Sequence, residues 1–339
     1  MILLINTATS CSIGKNPKKP EVEYLQMHFV GQKASFGKAD SISIIISTSC
    51  EDDTLRYHAD MQIDTAVTHR GILTLAASHY TIGYHSIYAS IGSCSSQISF
   101  TILPDAPAEI GYRIVNTFPH STSSYTQGLV YDSGKLLEST GMYGQSKLME
   151  IDIKTGKATR SLNLDRQYFG EGLAAAGDQL YQLTWREKTG FVYRKSDFGL
   201  IKSFEYPTEG WGLTFNGNQL ILSDGSHYLY YLDTATLQVR KQLPVFDERG
   251  PVIRLNEMQW VDSCIYANVY MADYIVKIDE RTGAVVGRID CSALLTTKDK
   301  HPEIDVLNGI ARNSDNGNYY ITGKNWPKLF EVELIEEKQ

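Results

Sequence analysis

The chain has 339 residues, of which 42% are hydrophobic and 21% are charged, and its formal net charge is -7. These proportions are ordinary for a folded globular protein, and the length allows two domains with sizeable cores. The negative charge argues against nucleic acid or an anionic membrane surface as a partner, and no apolar run approaches the ~18 residues of a membrane-spanning helix.

Residues 1–20 resemble the end of a bacterial lipoprotein signal. Met1-Ile-Leu-Leu-Ile5 is apolar, and small residues then lead to Cys11, although the positively charged start of such a signal is missing. Two alternatives stay open: a lipid anchor on Cys11, which would be the chain's one attachment to a membrane, or a disordered N-terminus. The pattern favours a bacterial protein outside the cytoplasm, in the periplasm or cell envelope.

Residues 21–104 are predicted to form an immunoglobulin-like β-sandwich. The β-rich runs are 21–30, 41–47, 55–67, 71–77, 86–91 and 97–103. Six or seven short strands separated by polar or glycine turns are typical of such a sandwich. Cys50 and Cys94 fall in different strands of it, and they could form a disulfide in an oxidising compartment.

After a short extended linker at 105–110, residues 111–339 repeat one pattern. Each repeat begins with a three-residue segment, here called an opener, followed by a turn and two or three β-rich runs. The openers recur at intervals of 40 to 52 residues and are Gln127-Gly128-Leu129, Glu171-Gly172-Leu173, Trp211-Gly212-Leu213, Asn256-Glu257-Met258 and Asn308-Gly309-Ile310. Repeats of this length indicate a β-propeller with one four-stranded sheet per repeat, so we expect five blades.

The ends of this domain are predicted to share one blade. Residues 112–118 form a strand without an opener, which we place beside 329–334 because joining the terminal strands removes two exposed edges. In the fourth blade the strands are 257–261, 265–270, 274–279 and 285–289. Cys264 and Cys291 belong to the second and fourth strands of that blade, too far apart for a disulfide.

The openers point to a site. In a propeller the loops that enter the innermost strands meet at one mouth of the central channel. The predicted cluster consists of Gln127, Glu171, Trp211, Asn256 and Asn308. A glycine after the polar residue lets backbones approach closely near the axis. One carboxylate, several amides and a ring suit a small polar ligand, unless the openers are merely tight turns.

Nine motifs then give a specific resemblance. They are Phe118-Pro-His120, Tyr125-Thr-Gln-Gly-Leu129, Glu138-Ser-Thr-Gly141, Tyr168-Phe-Gly-Glu-Gly-Leu173, Gly210-Trp-Gly-Leu213, Ser223-Asp-Gly225, Ile253-Arg-Leu-Asn-Glu257, Asp305-Val-Leu-Asn-Gly-Ile310 and Thr322-Gly-Lys-Asn-Trp-Pro-Lys-Leu-Phe330. Residues 112–334 resemble the plant and bacterial glutaminyl-peptide cyclotransferases, or glutaminyl cyclases, a family of five-bladed propellers. The resemblance implies that the N-terminal glutamine of a peptide or protein cyclises to pyroglutamate and releases ammonia.

The resemblance also implies roles for single residues. Glu171 would carry the proton from the amine to the leaving nitrogen, and burial among rings would raise its pKa. Lys324 and Asn256 would bind the developing oxyanion and the substrate carbonyls, and Gln127 the substrate amide. Five rings, here called the aromatic wall, would enclose the glutamine side chain: Tyr125, Phe169, Trp185, Trp211 and Tyr270.

Each role has a structural alternative. Glu171 and Gln127 could stabilise their own turns, and Lys324 could be a solvated surface residue. Trp185 and Tyr270 could be ordinary blade core.

Two features of the wall leave substrate preference and rate open. Tyr125 and Tyr270 stand where the family commonly has phenylalanine and tryptophan.

The resemblance implies no metal and no other cofactor, and we expect activity to survive chelators. Two other functions stay open: a calcium-dependent propeller lactonase with Glu171 and Asn256 as ligands, and a non-catalytic binding or scaffold protein of the cell envelope. The oligomeric state is not predicted.

Overall fold

A computed structural model describes residues 23–50, 54–60, 62–65 and 71–336. Within these ranges the chain is all-β, as predicted, and its short 3₁₀ turns are Val30–Gln32, Ala77–His79 and Thr297–Asp299. None of these turns approaches the length or apolar character of a helix that could cross a membrane.

Two compact units divide the chain. The first takes its described residues from the segments Met1–Ala34, Ile42–Leu75 and His85–Ser99, and the second from Ser35–Ser41, Ala76–Tyr84 and Phe100–Gln339. The predicted domain boundaries at 104–111 remain predictions.

The strands before residue 104 form two sheets. They are β1 Leu25–Phe29, β2 Ser35–Gly37, β3 Ser41–Thr48, β4 Arg56–Ala59, β5 Gln62–Thr65, β6 Gly71–Ala76, β7 Gly83–Ile91 and β8 Cys94–Leu103. The strand orders are β1-β3-β6 and β2-β8-β7-β4-β5. In β3 the buried residues alternate, because successive side chains point to opposite faces of a strand.

Two details of this region bear on the sequence predictions. The β-rich run at 55–67 contains two strands, β4 and β5, which pair antiparallel. Asp60, directly after β4, adopts a φ of 53°, a conformation that Asp tolerates better than most residues. Cys50 and Cys94 form the disulfide that the sequence allowed. Cys50 lies just after β3, and Cys94 is the first residue of β8. Cys264 and Cys291 are free thiols.

The second unit begins with two strands and three consecutive sheets. The strands are β9 Ala108–Glu109, β10 Gly111–Pro119, β11 Thr126–Asp132, β12 Lys135–Thr140, β13 Lys147–Asp152, β14 Lys157–Asn163, β15 Gly170–Ala176, β16 Gln179–Thr184, β17 Thr189–Arg194, β18 Leu200–Glu205, β19 Leu213–Phe215, β20 Gln219–Ser223, β21 Tyr228–Asp233 and β22 Val239–Pro244. The sheets are β11-β12-β13-β14, β15-β16-β17-β18 and β19-β20-β21-β22, and all their neighbouring strands are antiparallel.

A short hairpin and two further sheets complete the unit. The strands are β23 Phe246–Asp247, β24 Gly250–Pro251, β25 Leu255–Val261, β26 Cys264–Val269, β27 Tyr274–Asp279, β28 Val285–Asp290, β29 Leu307–Arg312, β30 Tyr319–Gly323 and β31 Lys328–Ile335. The sheets are β25-β26-β27-β28-β9 and β10-β31-β30-β29. Residues 108–109, predicted as linker, thus extend the fourth sheet.

The predicted sharing of a sheet by the two ends of this unit is confirmed. Tyr112 of β10 lies opposite Leu334 of β31, and Phe118 lies opposite Leu329. The pairing spans more than 200 residues of sequence, so it connects the two ends of the unit directly.

In each of the five sheets, the strand at the opener contacts its counterparts in two other sheets, and these five strands form a cycle. β11 contacts β15, β15 contacts β19, β19 contacts β25, β25 contacts β29, and β29 returns to β11. Residues at the start of β11 and β15 are buried, whereas β14 and β18 at the far edges of the same sheets are mostly exposed. The five strands at the openers are therefore the inner strands, with neighbouring sheets on both sides.

Glycines of the openers lie where these inner strands touch. A Cβ on Gly128 or Gly172 would lie within 2.5 Å of a backbone nitrogen in the next sheet, and one on Gly212 would lie 1.9 Å from the carbonyl oxygen of Asn256. Any larger side chain would push the sheets apart. The prediction that these glycines permit close backbone approach is confirmed.

Glu257 replaces glycine in the fourth opener and connects three inner strands. Its buried carboxylate accepts hydrogen bonds from the backbone amide of Leu129 in β11, at 3.2 Å, and from that of Ile310 in β29, at 2.7 Å. Burial raises the pKa of Glu257 to about 8, although the two amides favour the charged form. The sequence alone gave this residue no role.

Candidate active site

The polar residues of four openers occupy equivalent positions. Gln127, Glu171, Asn256 and Asn308 are each the second residue of an inner strand. The pairing of each of these strands with its neighbour shifts register at the opener. Such β-bulges change the direction of a side chain, which explains how all four depart from simple alternation.

Side-chain hydrogen bonds connect three of these residues. Gln127 Nε2 donates to Glu171 Oε1 at 3.0 Å. Asn308 Nδ2 donates to Gln127 Oε1 at 3.2 Å and to the carbonyl oxygen of Thr126 at 3.0 Å. The first, second and fifth openers therefore form one buried network around the Glu171 carboxylate.

Backbone contacts bring the remaining openers to the same place. The amide of Gly172 donates to the carbonyl oxygen of Trp211 at 2.7 Å, and Ser223 Oγ accepts from Gly212 N and donates to Asn256 O. The predicted convergence of the five openers is thus observed. Within the described ranges, Oδ1 of Asn256 is buried without a hydrogen-bond partner. This oxygen is therefore available to accept a hydrogen bond from a ligand.

Lys324, one residue after β30, is 3% exposed, so the alternative of a solvated surface lysine is wrong. Its Nζ lies 4.8 Å from the ring centroid of Tyr125 and 5.1 Å from that of Tyr270, which are cation–π distances. Burial lowers the pKa of Lys324, and the nearby carboxylates of Glu171 and Asp305 partly offset this effect.

Ring contacts connect the members of the aromatic wall. The ring centroid of Phe169 lies 6.2 Å from that of Tyr125 and 5.5 Å from that of Trp185, and Trp211 lies 5.6 Å from Tyr270. The Tyr125 and Trp211 contacts are edge-to-face, an arrangement that the charge distribution of aromatic rings favours.

Two charged residues close the wall into a circuit. Lys324 joins Tyr125 to Tyr270, and Glu209 joins the two tryptophans by accepting from Trp185 Nε1 at 2.8 Å and from Trp211 Nε1 at 3.1 Å. Trp185, Trp211, Tyr125 and Tyr270 are only partly buried, so part of each ring is exposed to solvent. Trp185 and Tyr270 are therefore not ordinary core residues, whereas Trp326 is one.

The environment of Glu171 changes its acidity. Burial raises its pKa well above the usual value for glutamate, Lys324 lowers it, and the negative charges of Glu209 and Glu187 raise it again. The direction agrees with the expectation from the sequence. A carboxyl group whose pKa is raised in this way is a better proton acceptor than an ordinary glutamate, and it can return the proton that it accepts.

Several contacting residues were missed at the sequence level. Tyr125 Oη donates to Asp305 at 2.9 Å, and Tyr143, whose ring packs 5.3 Å from that of Phe169, donates to Glu187 at 2.8 Å. Tyr125 stands where the resemblance led us to expect phenylalanine, so its added hydroxyl was a signal that an acceptor should lie nearby.

Comparison with known proteins shows the family to which the chain belongs. The sequence model of the glutamine cyclotransferase family matches residues 85–334. The chain belongs to this family. A glutaminyl-peptide cyclotransferase from Arabidopsis thaliana is 39% identical over 226 residues, which cover 66% of this chain and 71% of that protein.

A solved cyclotransferase structure is also similar. The crystal structure of a glutaminyl cyclase from Myxococcus xanthus has 34% sequence identity and a TM-score of 0.64, covering 68% of this chain and 100% of that one. The family assignment from the nine motifs is confirmed. The family match starts at residue 85, within β7, rather than at 112.

Proposed function

We propose that this glutamine cyclotransferase converts the N-terminal glutamine of peptides or proteins to pyroglutamate and ammonia. The observation that carries the proposal is one buried carboxylate, Glu171, enclosed by the circuit of rings, Glu209 and Lys324. Membership of the family supports an enzyme that acts on peptide or protein substrates.

The reaction needs one proton to move between two nitrogens. The α-amine of the substrate attacks the side-chain amide carbon, a carbon–nitrogen bond forms, and the amide oxygen becomes negative. Ionised Glu171 accepts the proton that the amine loses and returns it to the amide nitrogen, which leaves as ammonia when its bond to carbon breaks. No atom or electron pair from another reactant is needed.

The other residues of the site supply binding and charge. Lys324 places a positive charge where the oxygen becomes negative. The free Oδ1 of Asn256 accepts from an N–H of the substrate, while Gln127 orients the Glu171 carboxylate. The aromatic wall holds the three-carbon side chain in the folded pose, which makes the attack intramolecular and fast.

The proposal extends to architecture and location. The cyclic contacts of the inner strands and the shared terminal sheet support a five-bladed propeller for the second unit. Two β-sheets joined by a disulfide support an immunoglobulin-like sandwich before it. Because disulfides persist in oxidising compartments, Cys50–Cys94 also supports a location outside the cytoplasm.

Mass spectrometry of a glutamine-initiated peptide tests the reaction. The wild type should remove the mass of one ammonia molecule, and Glu171→Gln, which keeps the shape but cannot accept the proton, should lower kcat/KM by about a hundredfold or more. Glu205→Gln, at an exposed glutamate that ends β18, is the matched control and should retain full activity. Wild-type protein that binds the peptide without ammonia loss would support a binding module instead.

A further inference from the structure

We propose that Glu209 is a positioning residue of the cyclotransferase reaction, which fixes two indole rings of the aromatic wall and acts on Glu171 through its charge. The inference rests on the proposed function. It assigns a role to a carboxylate in the loop between β18 and β19, outside the openers.

One oxygen of Glu209 accepts hydrogen bonds from both indole rings. Oε2 accepts from Trp185 Nε1 at 2.8 Å and from Trp211 Nε1 at 3.1 Å. Trp185 directly follows β16, and Trp211 comes two residues before β19, so the two rings are carried by different sheets. A carboxylate oxygen has two lone pairs, and both are used here, which fixes the angle between rings that share no backbone element.

The other oxygen of Glu209 helps to hold the first ring from its face. Arg186 Nε lies 3.6 Å from Glu209 Oε1, and its guanidinium lies 3.9 Å from the centroid of the Trp185 ring. Trp185 is thereby restrained at its edge by Glu209 and at its face by Arg186. The ion pair itself is largely exposed and contributes little, so the restraint depends mainly on the indole hydrogen bond and the stacking.

Glu209 is also connected to Glu171 through Trp211. The carbonyl oxygen of Trp211 accepts from the amide of Gly172, the residue after Glu171, at 2.7 Å. Changes in the orientation of Trp211 therefore reach the backbone beside the proposed acid/base residue.

The charge of Glu209 acts on the same group. Among the described residues, the charged side chains that act on Glu171 are Lys324, Glu209 and Glu187, and the charge of Glu171 acts in turn on the hydroxyls of Tyr125, Tyr143 and Tyr206. Lys324 lowers the pKa of Glu171, whereas Glu209 and Glu187 raise it. Since ionised Glu171 is the base, activity is lost as the pH falls through this raised pKa.

Two substitutions separate the two effects. Glu209→Gln keeps an oxygen that accepts from both indoles but removes the charge, so we expect a KM close to that of the wild type and an acidic limb of kcat/KM displaced to lower pH. Glu209→Ala leaves both indole N–H groups without their acceptor, so it should show the same displacement together with a KM raised about tenfold. The near-ultraviolet circular dichroism of the indoles should change in Glu209→Ala and not in Glu209→Gln.

Glu205→Gln removes an equivalent charge from the exposed end of β18 and should move neither the pH profile nor KM. Active wild type with an unchanged acidic limb in both Glu209 variants would overturn the inference. An acidic limb that moves equally in Glu205→Gln would show a general charge effect and would also overturn it. An inactive wild type would refute the proposed function, and unchanged indole dichroism in Glu209→Ala would then separately refute the positioning role.

Discussion

Tyr125 shows, at the scale of a single residue, how a polar atom is accommodated within an aromatic wall. Its ring contacts Phe169 and the Lys324 ammonium, while its hydroxyl donates to Asp305 at the edge of the site. Burial and the Asp305 carboxylate raise the pKa of Tyr125, so the hydroxyl remains protonated and remains a donor. Tyrosine at this position therefore adds a hydrogen bond and keeps the ring in place.

Tyr125→Phe should lower the free energy of unfolding by ~0.5–1.5 kcal/mol, because one hydrogen bond is lost. kcat/KM should stay within a few-fold of the wild type, since the ring and its contact with Lys324 remain. Tyr125→Leu removes the cation–π contact as well and should lower kcat/KM further. Urea unfolding and steady-state kinetics measure both effects, and equal losses of kcat/KM in the two variants would contradict this account.

The site contains residues that the repeat predicts and residues that it does not. Glu171, Gln127 and Asn256 were predicted because they belong to the repeat, and their positions follow from it. Glu209 and Asp305 lie outside the inner strands, and only the distances to indole and hydroxyl groups connect them to the site.

Inner strands are the elements that determine the site. Four of them carry a bulge at the opener, and three openers pack a glycine against the next sheet. The fourth opener has Glu257 instead, which satisfies amides of two other inner strands. The period of the repeat predicts the strands, but bulges depend on how each strand pairs with its neighbour.

Glu257 gives stability a pH dependence at this scale. Its folded-state pKa of about 8 lies above the ~4.3 of an unfolded glutamate. The folded state therefore binds the proton more tightly, and this contribution to stability is present at low pH and is lost as the pH rises through about 8.

In Glu257→Gln the glutamine side chain cannot ionise and offers one acceptor oxygen instead of two. The lost acceptor lowers the free energy of unfolding by an amount that does not change with pH. Relative to the wild type, the variant should therefore gain stability when the pH is raised from about 5 to about 9. Urea unfolding at the two pH values measures the difference, with Glu205→Gln as the control that should show no such trend. A wild-type-to-variant difference that is constant with pH would refute the assignment.

At the scale of the whole molecule, the proposed site and the disulfide belong to different units. Every proposed site residue lies in the second unit, between 125 and 324, whereas Cys50 and Cys94 lie in the first. The disulfide closes a sequence separation of 44 residues, so it restricts the unfolded chain of its own unit.

Replacing both Cys50 and Cys94 with serine should lower the free energy of unfolding of the first unit by about 4 kcal/mol. kcat/KM for a glutamine-initiated peptide should not change, because no proposed site residue belongs to that unit. Thermal unfolding and kinetics on the same sample test both statements. A large loss of kcat/KM in the folded variant would show that the first unit contributes to the site.

The sequence by itself determined the all-β class, the repeat, the pairing of 112–118 with 329–334 and the family, because these depend on local patterns and on spacing along the chain. It also named the polar cluster, since equivalent positions of a repeat become neighbours when the repeats close on one another. Only the tertiary structure decided the bulges, the burial of Lys324, the hydrogen bonds of Glu209 and the role of Glu257. These features depend on which side chains meet across different sheets, and the sequence pattern within one strand does not encode the distances between residues of different sheets.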